Sequence, residues 1–156
     1  MNRIILIGAL LIFSKMKSQN EINIVISIDD KVAASYNIGN AYLIFSNDTV
    51  YMKYESGRFR MGQDDYTKFS GYNDKKDVVL KFDYQQYCPQ HKKFTYSISL
   101  EAILLKQRYF NITVYNFENY PNLFRNNHDY GFEFTSPVIS QVLAKRNRKH
   151  VIPRCR

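Results

Sequence analysis

From Glu21 to Lys145 apolar side chains recur at every second position, and this alternation constrains the fold more than any other feature of the chain. A period of two belongs to half-buried β-strands, because successive side chains on a strand point to opposite faces, whereas an amphipathic helix repeats every 3.6 residues. Ile22, Ile24, Ile26 and Ile28 share one face in the first such run. Leu80, Phe82 and Tyr84 alternate with Lys81 and Asp83, and Phe94, Tyr96, Ile98 and Leu100 alternate with Thr95, Ser97 and Ser99. Phe110, Ile112 and Val114 form an inward set against Tyr109, Asn111, Thr113 and Tyr115, and Tyr130, Phe132 and Phe134 open another strand before Ser136-Pro137 breaks it. Asp29-Asp30, Asn47-Asp48 and Ser56-Gly57 punctuate the runs with turn chemistry. Gly62 to Lys76 reads as a polar, irregular excursion, and 101–107 is the one stretch that reads as a helical turn. The spacing predicts an all-β protein, an antiparallel sandwich of seven to nine strands, with a small barrel as the alternative.

The N-terminus has a different character. Met1-Asn2-Arg3 is a short positive segment, and Ile4 to Phe13 carries no charged side chain. A spanning helix needs about 20 apolar residues, and this run is roughly half that, so it reads as a signal peptide over 1–18. The expectation is a secreted or periplasmic protein with no transmembrane segment once the leader is removed, a β-sandwich domain over 19–143 and a basic tail over 144–156. A mature chain of this length can bury one substantial core without a second domain.

The formal charge of +8 is carried by the ends. Setting aside Arg3, Lys15 and Lys17 in the leader, and Lys145, Arg146, Arg148, Lys149, Arg154 and Arg156 in the tail, leaves a body at −1. The tail is the cationic device, and Lys145, Arg146, Arg148 and Lys149 are candidates for partner contact. Aromatic residues are not interleaved with those charges, which argues against nucleic acid and for an unknown protein or envelope component. In an oxidising compartment Cys88 and Cys155 form a candidate disulfide that would tie the tail to the domain.

The first strand, the Asp29-Asp30 turn and the segment Lys53-Tyr54-Glu55-Ser56-Gly57-Arg58-Phe59 resemble the start of transthyretin-like or carboxypeptidase-regulatory-like domains. The remainder is similar in style to small secreted bacterial β-sandwich proteins of unknown function, with heavy use of Asn, Lys, Ile, Tyr and Phe. The resemblance implies a sandwich and transfers no functional residue.

Few residue groupings suggest chemistry. There is no nucleophile elbow and no glycine-rich phosphate loop. Cys88 precedes His91 by three residues, and Lys92-Lys93 would favour a thiolate, so an envelope hydrolase or thiol enzyme is one alternative. The preferred reading of the same residues is a disulfide cysteine in a polar hairpin loop, since Pro89 and the charged run mark a turn between two strong strands. Cys88, His91, His128, His150 and the pairs Asp29-Asp30 and Asp64-Asp65 do not match a metal-site spacing, and both Asp pairs are expected to be solvated. No spacing pairs Glu101, Glu118 or Glu133, and no cofactor is implied.

Among thirteen tyrosines, Tyr51, Tyr54, Tyr84, Tyr87, Tyr109 and Tyr115 could line a groove, with Tyr51 and Tyr54 as candidate partner contacts. The expectation is an exported, non-enzymatic binding protein that uses loops and its tail. A secreted effector or exported immunity protein is the further alternative.

Overall fold

The computed structural model describes residues 20–87, 91–120, 130–136 and 140–141. Two open sheets pack face to face, and neither closes into a barrel. The first sheet has the order β1-β6-β5-β4-β7-β8, from β1 (Glu21–Ile22), β4 (Ile38–Phe45), β5 (Asp48–Tyr54), β6 (Phe59–Arg60), β7 (Asp77–Gln86) and β8 (Lys92–Glu101). The second has the order β11-β10-β9-β2-β3, from β2 (Ile24–Ile28), β3 (Lys31–Val32), β9 (Phe110–Asn116), β10 (Tyr130–Thr135) and β11 (Ser140–Gln141). Seven of these strands have five residues or more, and the others are two-residue pieces at edges and corners. The ladders are antiparallel except between β2 and β9, which run parallel from Ile24 opposite Phe110 to Ile28 opposite Val114. The all-β sandwich expected from the alternation is present, with this one parallel pairing among its antiparallel ladders.

The isoleucine run explains how the sheets are joined. Ile22, Ile24, Ile26 and Ile28 are all buried, as their alternation demands, but the chain leaves one sheet for the other at exposed Asn23. A strand that switches sheets in this way makes a corner and keeps its apolar side on the core throughout. Ile24, Ile26, Phe110, Ile112 and Val114 line the inner face of the second sheet, opposite Leu43, Leu80, Phe82, Tyr96 and Ile98 of the first. Burying each such side chain contributes roughly 1.5–3 kcal/mol.

Tight turns set the registers. Asp29 and Asp30 have φ of 51° and 64° between the paired residues Ile28 and Lys31. Two left-handed residues in a two-residue hairpin make a type I′ turn, whose twist suits the flanking strands and which Asp tolerates better than most residues. Ser56 and Gly57, with φ of 49° and 83°, do the same between Glu55 and Arg58, whose N–H and C=O groups bond to each other in both directions.

The polar stretch after Gly62 contains a helix that the alternation did not reveal, α1 (Gln63–Ser70). Asp64 and Asp65 sit in its first turn and Lys68 in its last, the arrangement that complements the helix dipole. Only Tyr66 and Phe69 give it an apolar side, too few positions to register as a period. Phe69 packs edge-on to Phe45 at 5.6 Å between ring centres. The second helix, α2 (Ala102–Leu105), lies within the predicted helical turn. Its following residue, Lys106, reaches back to the C-terminal end of α1, donating to Ser70 O at 3.0 Å, Tyr72 O at 2.7 Å and Asp74 Oδ1 at 2.7 Å. A cation there satisfies the carbonyls that every helix leaves unbonded at its end.

Among the described residues, no helix is long and apolar enough to cross a membrane.

Candidate functional site

The inner face is sealed in the middle of the sandwich and open at one end. Along β8 the buried set Tyr96, Ile98 and Leu100 gives way to half-buried Phe94, and Tyr84 on β7 and Tyr130 and Phe132 on β10 are also only partly covered. Between the outer edge of β8 and the end of β9 this leaves a cleft of about 340 Å³. Phe94, Tyr96, Phe117 and Tyr130 form its aromatic walls, with Asn116, Thr95, Lys93 and Glu118 as its polar lining. Phe94 and Tyr96 lie nearly parallel, 6° apart at 6.2 Å, and Tyr130 meets Tyr96 edge-on at 5.0 Å. Offset-parallel and edge-on contacts are the arrangements that aromatic quadrupoles favour.

The floor of the cleft is held by the Asp29-Asp30 turn. Asp29 is buried, and its carboxylate accepts the Asn116 N–H at 2.8 Å, Asn116 Nδ2 at 2.9 Å and Asn119 Nδ2 at 2.6 Å. The Tyr96 hydroxyl donates to Asn116 Oδ1 at 2.7 Å, so the Asn116 side chain is bonded at both ends. Burial pushes the Tyr96 phenol far above its ordinary range. Asp30 accepts the Tyr120 hydroxyl at 2.9 Å on one oxygen and stands 2.9 Å from the Tyr115 hydroxyl on the other. Tyr115 is also 2.7 Å from Glu133 Oε1, so its single phenolic proton lies between two carboxylates. Desolvation, and then those two acids, hold that proton firmly. Tyr115 is therefore buried although it points to the outer side of its sheet, and in the Asp29-Asp30 turn, expected to be solvated, Asp29 is buried while Asp30 stays exposed with its carboxylate bonded to the two tyrosines.

Ion pairs mark the rim. Lys92 Nζ is 2.7 Å from Glu118 Oε2, and Lys93 Nζ is 2.8 Å from Asp83 Oδ2. Partial burial works against the Asp83 carboxylate, but Lys93, the Thr95 hydroxyl and Asn40 Nδ2 outweigh it and hold its pKa below the usual range.

Among the described residues, those singled out from the sequence do not converge. Tyr51 is 75% exposed on the outer face of the six-stranded sheet, beside Tyr42 at 6.0 Å, with Lys81 Nζ 5.9 Å from the Tyr42 ring. Tyr54 is a core residue. Its ring packs on Phe59 at 4.9 Å and its hydroxyl accepts the Ile26 N–H at 3.2 Å, so a partner could not reach it without parting the sheets. Tyr87 and Tyr109 are exposed and Tyr84 is half-buried. His91 packs edge-on to Tyr87 at 5.5 Å. Cys88, Cys155, Lys145, Arg146, Arg148, Lys149, His128 and His150 lie outside the described residues. No group of three His, Cys, Asp or Glu side chains converges as a metal site among the described residues.

Sequence reasoning placed Phe94, Tyr96 and Tyr130 on inward faces and overlooked Asn116. The available signal was the run Val114 to Phe117 at the end of β9, where alternation stops.

Comparison with family models, with curated proteins and with solved structures returns no match to this chain.

Proposed function

We propose that this chain is an exported binding protein, not an enzyme, and that it recognises its partner through the aromatic cleft at the open end of the sandwich. One observation carries the reading: four aromatic side chains surround an open volume whose buried polar floor, Asn116 and Tyr96, is already hydrogen-bonded to the protein. Aromatic walls with a few fixed polar groups are the make-up of recognition pockets. A floor whose donors and acceptors are already engaged holds a shape; it offers no loose nucleophile or base. The basic residues from Lys145 onward would add long-range attraction towards an acidic protein or envelope surface.

The test is a ligand screen on the full chain by ¹⁵N and aromatic ¹³C NMR, using aromatic fragments, short peptides and oligosaccharides. Binding through the cleft shifts the signals of Phe94, Tyr96, Phe117 and Tyr130 together, and Phe94→Ala removes the response. Turnover of any screened compound, or shifts confined to other surfaces, overturns the reading. Export is tested separately by N-terminal sequencing of the product recovered outside the cytoplasm, where a start within a few residues of Gln19 is expected.

A further inference from the structure

The cleft borders a strand edge that is open along part of its length. β8 is the last strand of its sheet, so half of its main-chain groups face away from β7. Tyr130 identifies which half, because its hydroxyl accepts the Ser97 N–H at 2.8 Å and donates to the Ser97 C=O at 2.9 Å. One phenol there does the work of one residue of a neighbouring strand. In an antiparallel ladder the outward groups alternate, so Lys93, Thr95, Ser99 and Glu101 face the same way as Ser97. No described residue bonds to the outward main-chain groups of Lys93 or Thr95, and both residues line the cleft.

We propose that this stretch takes a short extended peptide from a partner protein, added as a strand beside Lys93 and Thr95 with one apolar side chain in the cleft. The inference rests on the cleft being the recognition surface and specifies what fills it. A strand laid along β8 would sit about 4.8 Å from it, and its alternate side chains would point into the space between the sheets. Phe94, Tyr96 and Tyr130 face that space. Main-chain bonds supply affinity in this mode, and the side-chain pocket supplies selectivity.

The geometry selects a short segment over a second copy of this chain. An antiparallel pairing of two β8 strands would run through Ser97, near the middle of the strand, and the Tyr130 hydroxyl occupies that position. What remains between Lys93 and Tyr130 accommodates only a few residues of a guest.

The experiment uses the full chain and two blocked hexapeptides, acetylated and amidated, that alternate threonine and phenylalanine. In one of them a single main-chain nitrogen facing the strand is methylated. Titration calorimetry is expected to show saturable binding of the first and about ten-fold weaker binding of the second, the cost of about one main-chain hydrogen bond. Thr95→Pro removes an outward N–H that β7 does not use, and should abolish binding. Tyr130→Phe uncovers Ser97, lengthens the free edge and should tighten binding several-fold. Equal affinity for the two peptides, or no saturable binding of either, overturns the proposal. The methylated peptide needs only the unaltered protein, so the test stands even if Thr95→Pro does not fold. If an aromatic fragment shifts the Phe94 and Tyr130 signals while neither peptide binds, the peptide inference fails and the cleft remains the recognition surface. Concentration-dependent dimerisation of Tyr130→Phe without peptide affinity would assign the edge to a second copy and also refute the proposal.

Discussion

The sequence contains two Asp-Asp pairs, and the fold treats them in opposite ways. Asp64, exposed, and Asp65, half-buried, sit in the first turn of α1, where their charges meet the positive end of the helix dipole. Asp29 and Asp30 occupy a type I′ hairpin turn that folds back onto β9, and between them their carboxylates hold Asn116, Asn119, Tyr115 and Tyr120. The first pair tunes an element that packing already holds. The second connects the N-terminal hairpin to residues nearly ninety positions later, the bond from the Asn116 N–H to Asp29 spanning 87. An acidic pair is thus an ornament or a keystone according to whether the backbone around it can turn its oxygens inward, and the I′ geometry is what does so here.

That contrast can be broken most forcefully at Asp29. Asp29→Ala strands three buried or half-buried N–H donors and places a less tolerant residue in a left-handed conformation, so denaturant unfolding should show a loss of roughly 3 to 4 kcal/mol. Asp29→Asn keeps the backbone preference and one acceptor, and should lose about half of that. Signals of Asn116 and Tyr96 should move in both variants, because the floor of the cleft hangs from this carboxylate.

The helix carrying the other pair is held from its far end. Lys106→Met keeps an apolar side chain but removes the ammonium that caps α1 and stands 5.4 Å from the Phe69 ring centre, and should cost about 2 kcal/mol in the same measurement.

A third acid separates charge from geometry. Burial opposes the Glu21 carboxylate, but bonds from Arg58 at 2.9 Å and Arg60 at 2.6 Å more than compensate, leaving its pKa below the ordinary range. A depressed carboxylate contributes stability that is complete above the unfolded-state pKa, about 4.3, and is lost as pH falls through the folded-state value. Glu21→Gln should therefore lower the melting temperature at neutral pH, by an amount worth less than about 1 kcal/mol. As pH falls below the ordinary carboxylate range and on through the depressed folded-state value, the variant and the parent should converge progressively.

The smallest effect belongs to the helix pair. Asp64→Asn should change stability by about 0.5 kcal/mol and leave the cleft signals in place. A loss at Asp64 comparable to that at Asp29 would erase the distinction between the two pairs.

How far the chain could be read follows from what alternation encodes. It reports which face of a strand is buried, so the inward sets 80–84, 94–100 and 110–114 were legible, as was the short helix after Glu101. It does not report a strand's neighbour, and the parallel pairing of Ile24–Ile28 with Phe110–Val114 has no local signature. The helix Gln63–Ser70 was hidden because Tyr66 and Phe69 are its whole apolar side. Tyr115 broke the rule for a separate reason: a phenol can be buried on the outer side of a sheet when Asp30 and Glu133 meet its hydroxyl there. Tyr54, Tyr115 and Tyr130 also show that a tyrosine's hydroxyl has work to do apart from lining a groove. Each uses its hydroxyl to satisfy a group that a short or absent neighbouring strand leaves unbonded, or to bind an acid. The cleft itself was half visible, since its walls belong to the inward sets, but the point at which burial stops depends on where the two sheets diverge.

The parallel β2–β9 pairing sets an order of events for a newly made chain. The N-terminal isoleucines emerge first, yet the strand that completes their sheet on that side is not available until residue 114 has followed. Contacts so distant along the chain slow folding, because a long loop must close before they repay its entropy. The first sheet can assemble its central hairpins, β4 with β5 and β7 with β8, from near neighbours, while the early segment, paired locally only with β3, waits with its other edge open. Any factor that shields nascent or translocating chains would find its natural target in Ile22–Ile28, and only during that interval.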